Sequence, residues 1–336
     1  MVLRWTAAAA SLLLVTCSYG WGALGHRQIA DIAWTQLNHN AKVQIAKILM
    51  AGDSVSGRDG DRAFSVPKQE ITDSFLEQTV RPAFDEAATW CDDIKGGKSS
   101  LFEDRITKDN AASPGVNPDS GGEDVRCKSW HYYDKPIAAD PAAHPARDSN
   151  AIRAIGLEEK NLEADAKSAD PDRTDEVYAL YWVEHLIGDL HQPLHCVSSF
   201  MLDPKGDAGG NGFRLGAAPG STRRGGNLHS YWDSGIDHAI AADPKLGKEA
   251  TVEQVSAAWT ADKSYLPSAA DVRNLDPMAW VDAGWKLAQS VVYKGVQPEV
   301  APDAKYAATQ ADVCKRLALL AGFRLAAYLN NVLGSR

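Results

Sequence analysis

Basic residues are the first scarcity: 35 Lys and Arg face 44 Asp and Glu, giving a formal charge of −9 at pH 7. Such a surface argues against a protein that holds nucleic acid mainly through Lys and Arg, but not against one whose positive charge comes from bound metal. Beyond residue 20 no apolar run is long enough to span a bilayer. Cysteine is rare, with 5 in 336 residues, and no Asn-x-Ser/Thr triplet marks a glycosylation site. Strand signals are also few. No internal repeat or strong linker divides the chain, which excludes repeat architectures and points to a single domain.

The first 20 residues, "MVLRWTAAAASLLLVTCSYG", carry a basic residue at Arg4, an apolar run from Ala7 to Val15, and Ser18 and Gly20 as small residues before a cleavage point. Residues 1–20 therefore read as a signal peptide, too short for a membrane anchor, with 21–336 as the mature domain. Lipidation at Cys17 is the weaker alternative, because Thr16 is bulkier than the residue such sites usually carry. Export, periplasmic or fully secreted, leaves Cys91, Cys127, Cys196 and Cys314. An even count in an oxidising compartment predicts two disulfides with the pairing open, and thiolate ligation is the rival for Cys91 and Cys196.

What is present is mostly helical pattern. "HRQIADIAWTQL" places Ile29, Ala33, Trp34 and Leu37 on one face, and a second helix is predicted after Asn40 as its N-cap. "FLEQTVRPAFDEAATWCDDIK" reads as helix on both sides of Pro82, followed by a long loop over about 96–127. "SNAIRAIGLEEKNLEADA", "RTDEVYALYWVEHLIGDL" and "LHSYWDSGIDHAI" are further helices, with two more near Met278–Val292 and Asp312–Leu333. A glycine-rich loop, with room for one short hairpin, precedes "LHSYWD". The predicted fold is all-α, a single helical domain with long loops.

The chemistry concentrates in "HLIGDLHQPLH", His185 to His195. His185 and Asp189 are four apart, so on a helix they share a face and can hold one cation. Gln192-Pro193 then disturbs the helix and lets His195 turn to a second ion. "HSYWD" repeats the spacing with His229 and Asp233. His195, His229 and Asp233 make a His₂Asp set that leaves positions open, the catalytic pattern for zinc. A lone His-x₃-Asp pair is more often a surface ion pair; the repetition, with His131 in "WHYYD", is what favours metal. His191 reads as a residue behind the ligands, His39, His144 and His238 as surface histidines, and Trp130, Trp182 and Trp232 as core.

Together "WGALGHRQIA", "TWCDDIK", "WHYYD", "HLIGDLHQPLH", "GDAGGN" and "GGNLHSYWD" resemble, in order, the motifs of the zinc-dependent class I nucleases, a family with secreted fungal, plant and bacterial or protozoan members. The resemblance covers nearly all of the mature chain. It implies the helical fold of zinc-dependent phospholipase C and these nucleases, and three Zn²⁺ per chain. Trp21, through its free amino group and carbonyl, and His26 would hold one zinc, with Asp189 shared. Asp92, His131, His185 and Asp189 would hold its neighbour. His195, His229 and Asp233 would hold the third.

The activity implied is hydrolysis of single-stranded DNA and RNA to 5′-phosphate products, with 3′-nucleotidase action on 3′-mononucleotides and a metal-bridging hydroxide as nucleophile. Asp92, Asp189 and Lys95 would be catalytic. Lys95, Asn211 and Ser234 would face substrate, and no membrane anchor and a monomer are expected. Lys95 stands where relatives commonly carry Arg, so it offers a point charge rather than a bidentate fork. Ser234 replaces the Asn of some relatives, and the 92–131 interval is longer than the family pattern. The nearest alternative is a zinc-dependent phospholipase C, against which stand the wording of "WHYYD" and "GGNLHSYWD" and the lack of a C-terminal lipid-binding β-domain. A zinc-sequestering protein is the non-enzymatic alternative; it would fill its coordination spheres.

Overall fold

A computed structural model describes residues 21–51, 66–95, 127–168, 173–217 and 225–335. The chain opens on α1 (Ala23–Gln36) and α2 (His39–Ala51). The predicted face of α1 is buried, but so are Gln28, Ala30, Asp31 and Ile32, so α1 is enclosed on most sides. Helix α2 starts earlier than predicted, because Asn38 rather than Asn40 caps it: the Asn38 side chain accepts the Ala41 N–H at 2.8 Å.

The segment around Pro82 is continuous helix. Asp73–Phe75, a π-turn over Leu76–Val80 and Arg81–Ala87 together form α3. Pro82 sits in the first turn after the π segment, where its missing N–H is accommodated. A break at Ala88–Thr89 precedes α4 (Trp90–Lys95). Most of the predicted 96–127 loop lies outside the described residues. A 3₁₀ turn, Lys128–His131, then leads into strand β1 (Lys135–Ile137).

Helix α5 (Ala151–Lys167), capped by Asn150, packs along α6 (Arg173–Asp189). From Glu176 to Leu190 every residue is buried, so α6 is a core helix enclosed on all sides. It ends in the 3₁₀ turn Pro193–Cys196 and strand β2 (Val197–Ser199). Strands β1 and β2 pair in parallel, with Lys135 opposite Val197 and Ile137 opposite Ser199. This small sheet was not predicted. The hairpin expected in the glycine-rich loop is reduced to one antiparallel bridge, Arg214 with Asn227, among the described residues.

Helices α7 (Leu228–Asp233) and α8 (Gly235–Ala242) divide the single helix predicted there at Ser234. Two helices escaped the periodicity reading, α9 (Val252–Ala261) and α10 (Ala269–Arg273). For α9 the signal existed: Thr251 and Gln254 form a capping box. Helix α11 (Pro277–Leu287) runs on into a π-turn, Ala288–Val292. Helix α12 (Ala304–Val332) begins eight residues before its predicted start, because Asp303 accepts the Tyr306 N–H at 2.7 Å and fixes the first turn. Its Gly322 lets α1 approach closely: a Cβ there would lie 2.5 Å from Ile32 Cγ2 and 2.9 Å from the Ile29 carbonyl. The architecture is a mainly α single domain, with α6 in its middle.

The disulfide expectation is corrected: Cys91, Cys127, Cys196 and Cys314 are buried thiols, and none of them forms a disulfide among the described residues. The thiol of Cys196 donates to the Leu190 carbonyl and packs on Gly284, whereas Cys314 sits against Gly235. Cys91 donates to the Tyr181 carbonyl on α6. An even count said nothing about the surroundings that keep Cys196 and Cys314 apart. Trp130, Trp182 and Trp232 are core residues, as read from the sequence.

Candidate active site

Helix α6 carries His185 and Asp189 on its last turn, and both are fully buried. The His185 Nδ1–H donates to the Ala88 carbonyl at 2.8 Å, in the break between α3 and α4. A carbonyl can only accept, so this bond fixes the tautomer and leaves Nε2 as a lone pair facing inward. That Nε2 lies 3.0 Å from His131 Nδ1 and 3.1 Å from Asp189 Oδ2. His131 Nδ1 lies 2.9 Å from the same oxygen, and Asp92 Oδ1 is 3.9 Å from both ring nitrogens. Two imidazoles and two carboxylates thus converge. Ligand atoms of a tetrahedral zinc lie about 3.3 Å apart, so a zinc-sized cation fits between them.

A second group meets at the other oxygen of Asp189. His26 Nε2 is 3.4 Å from Asp189 Oδ1, and the His26 and His185 rings stack with centroids 3.9 Å apart. Trp21 is buried and its indole N–H donates to the Gly188 carbonyl at 2.9 Å, which holds the residue one position from Asp189.

The third group follows the break after α6. Pro193 opens the 3₁₀ turn that carries His195, and α7 supplies His229 and Asp233. His195 Nε2 is 3.7 Å from Asp233 Oδ1, and His229 Nε2 is 3.6 Å from Asp233 Oδ2. The Nδ1 atoms of His195 and His229 donate to the carbonyls of His131 and Gly209, each at 2.7 Å, so both Nε2 atoms turn to the carboxylate. Gly209 has φ +62°, and a Cβ there would strike the Leu194 carbonyl; glycine is what allows its carbonyl to reach His229.

The donor set fits metal ions on an independent ground. His26 Nδ1 and Nε2, His195 Nε2, Asp189 Oδ1 and Asp233 Oδ2 are buried without a hydrogen-bond partner. Such orphaned groups are costly unless something binds them. Three sets of possible metal-holding residues stand among the described residues: His26, His185 and Asp189; Asp92, His131 and His185; and His195, His229 and Asp233.

Electrostatics follow from this crowding. Burial pushes the Asp189 carboxyl up, but the imidazoles of His185, His195 and His131 outweigh it and hold the group well below the usual carboxylate range. Burial acts against a charged His185, yet Asp189 and Asp92 raise it. His131 is lowered to about 3, first by burial and then by the Lys95 ammonium. Lys95 Nζ lies 2.6 Å from Asp92 Oδ1, and its charge also acts on His195 and His229, so it faces the whole cluster.

The remaining predicted residues sit differently. The Asn211 amide donates to the Ala208 carbonyl at 2.9 Å and meets Asn227 at 3.4 Å, which gives it a role in the turn. The Ser234 hydroxyl donates to the Ser230 carbonyl. His191 is buried, bonded through Nδ1 to the Ile187 carbonyl and through Nε2 to Arg324, outside the three sets. His39 is exposed; His144 and His238 are half-buried, on Phe200 and Gln310. Sequence reasoning passed over Asp134, which ends the "WHYYD" motif. Burial, and then Asp207, push its carboxyl up to about 6, against the pull of Arg147 and His195.

The model of one nuclease family, S1/P1 Nuclease, matches residues 21–334. The chain belongs to the S1/P1 nuclease family. Nuclease S1 of Aspergillus oryzae is 26% identical over 340 aligned positions, covering 96% of this chain and 95% of that protein. Endonuclease 2 of Arabidopsis thaliana is 29% identical over 330, covering 94% and 91%. Endonuclease 4 of the same plant is 28% identical over 163, about half of each chain. As a member of the S1/P1 family the chain is a hydrolytic nuclease acting on nucleic acid. No helix among its described residues is long and apolar enough to cross a membrane.

Proposed function

We propose that the chain is an exported, monomeric, trinuclear-zinc phosphodiesterase. It cleaves single-stranded DNA and RNA to 5′-phosphate products and removes the phosphate of 3′-mononucleotides. The observation that carries this reading is the convergence on Asp189 of two histidine groups, with a third beside it, all with orphaned buried ligand atoms in a nuclease-family chain. Trp21 and His26, with Asp189 shared, would hold one zinc; Asp92, His131, His185 and Asp189 the second; His195, His229 and Asp233 the third. Bound zinc supplies Lewis acidity and a water acidic enough to ionise near pH 7.

The protein's own groups do the rest. Asp189 and Asp92 hold negative charge where the cations gather. Lys95, within reach of the same space, provides a mobile positive charge for a substrate phosphate. The Trp21 role requires that residues 1–20, which lie outside the described residues, be removed so that the amino group of Trp21 is free; the family match beginning at residue 21 supports that boundary.

The test is zinc counted by elemental analysis on the processed protein. It is paired with assays on single-stranded DNA, RNA, a 3′-mononucleotide and phosphatidylcholine, before and after chelation. Three zincs with chelator-sensitive cleavage of nucleic acid and release of 3′-phosphate is the expected result. Three zincs with activity on phosphatidylcholine alone would overturn the substrate assignment, and fewer than two zincs would overturn the metal reading.

A further inference from the structure

Gln192 lies between α6 and the 3₁₀ turn and is 0% exposed. Its side chain is used at both ends. The amide Nε2 donates to Asp233 Oδ1 at 2.8 Å, and the amide oxygen accepts the Leu194 N–H at 2.6 Å. The second bond fixes which way the amide points, because only the oxygen can accept; the nitrogen must then face Asp233. The consequence falls on the carboxylate. Oδ1 accepts the amide N–H and lies 3.7 Å from His195 Nε2, whereas Oδ2 is buried with no hydrogen-bond partner and lies 3.6 Å from His229 Nε2. The Asp233 main chain is also tied, since its carbonyl accepts the Gly22 N–H at 3.0 Å.

We infer that Gln192 is a positioning residue: by engaging a lone pair of Oδ1 it leaves Oδ2 as the unengaged oxygen that Asp233 offers the third metal group, and so keeps that carboxylate a single-oxygen ligand. The same amide caps the turn carrying His195, so one side chain registers two of the three ligands against each other. Glutamine combines this length with a donor and an acceptor without charge; an ionised Glu lacks the donor and Asn the reach. The residue was visible in the sequence only as the partner of Pro193 in a helix break. This inference rests on the proposal that His195, His229 and Asp233 hold a metal.

Two variants of the processed full-length protein test it. Gln192→Met keeps the volume and removes both hydrogen bonds. Gln192→Asn keeps an amide oxygen for the Leu194 N–H two residues on, as an Asx turn, while its amide nitrogen is too short to reach Asp233. Zinc retained per chain is measured against increasing chelator, and the visible absorption of the cobalt-substituted proteins is recorded beside it. The expected result is that both variants hold two ions as wild type does and release the third at about 10–100-fold lower chelator, the usual effect of losing a partner behind a metal ligand. The cobalt band of the third site is expected to weaken, as Asp233 turns both oxygens to the ion and coordination rises.

Wild-type retention and an unchanged cobalt spectrum in Gln192→Asn would overturn the role of Gln192 while leaving the metal group intact. A wild-type protein that never binds a third ion would overturn the metal reading and this inference with it. If Gln192→Met fails to fold, as circular dichroism would reveal, Gln192→Asn decides the question alone.

Discussion

At the residue scale the site is organised around Asp189, whose two oxygens face His26 and His195 on one side and His131 and His185 on the other. Asp189→Asn keeps the shape and removes the charge that holds two groups together. It is expected to lose two ions by elemental analysis and to lower nuclease activity by more than ~100-fold, the upper range for mere outer partners. Gly188 is constrained next to it: a Cβ there would lie 3.0 Å from His26 Nδ1. Gly188→Ala is therefore expected to displace His26 by a few tenths of an ångström and weaken one ion selectively, read as a fall from three zincs to two without a change in circular dichroism. One extra residue retained ahead of Trp21 is expected to do the same by a different route. Full zinc content with such an extension would remove Trp21 from the ligand set.

Much of this was legible because helical spacing is local. His185 with Asp189, and His229 with Asp233, announce themselves at i and i+4. What fixes the ring orientations did not, since the Nδ1 partners of His185, His195 and His229 are carbonyls of Ala88, His131 and Gly209, which any residue would provide. Cysteine counting failed for the same reason: it assigns pairs without knowing neighbours.

At the element scale, long runs of period 3.6 were readable, and their ends were not where Asn38 or Asp303 moved a cap. The parallel pair β1–β2 was invisible because three residues per strand carry no period, and their pairing joins positions about sixty apart. Contacts between elements yield two expectations. Gly322→Ala forces α12 away from Ile32 on α1 and is expected to cost about 1–3 kcal/mol, measured by denaturant unfolding.

Asp85 on α3 is buried and its carboxyl is pushed well above the usual range, first by burial and then by Asp31 on α1; Arg81 pulls it down and Glu253 on α9 adds to the rise. A raised carboxyl is neutral in the folded state at pH values where the unfolded chain is ionised. Its stabilising contribution is complete below the unfolded pKa near 4 and is lost as pH rises through the folded value. Asp85→Asn stays neutral throughout. Its melting temperature is expected to gain on wild type as pH rises above 4, and a constant difference would refute the burial account.

At the scale of the whole molecule, the proposed metal ions would reconcile a net charge of −9 with a polyanionic substrate locally, by adding to Lys95 a positive field at one cluster. Activity is accordingly expected to depend on chelatable metal far more steeply than on the protein's overall charge. Metal that binds only the folded chain also stabilises it, by about 4 kcal/mol at a thousandfold excess over its dissociation constant. Chelation is expected to lower the melting temperature by several degrees, restored by added zinc, and calorimetry of the two forms would test it.

The residues that meet at the cluster come from positions 21 to 233, from Trp21 just before α1 and from α1, α4, α6, α7 and the two 3₁₀ turns. No early, local stretch of chain can assemble them, and the loops that must close first are long. Interactions completed only after the main folding barrier act on the rate of unfolding and leave the rate of folding alone. Zinc, if held as proposed, would therefore belong to the lifetime of this protein more than to its birth: bound ions would slow the opening of the folded chain.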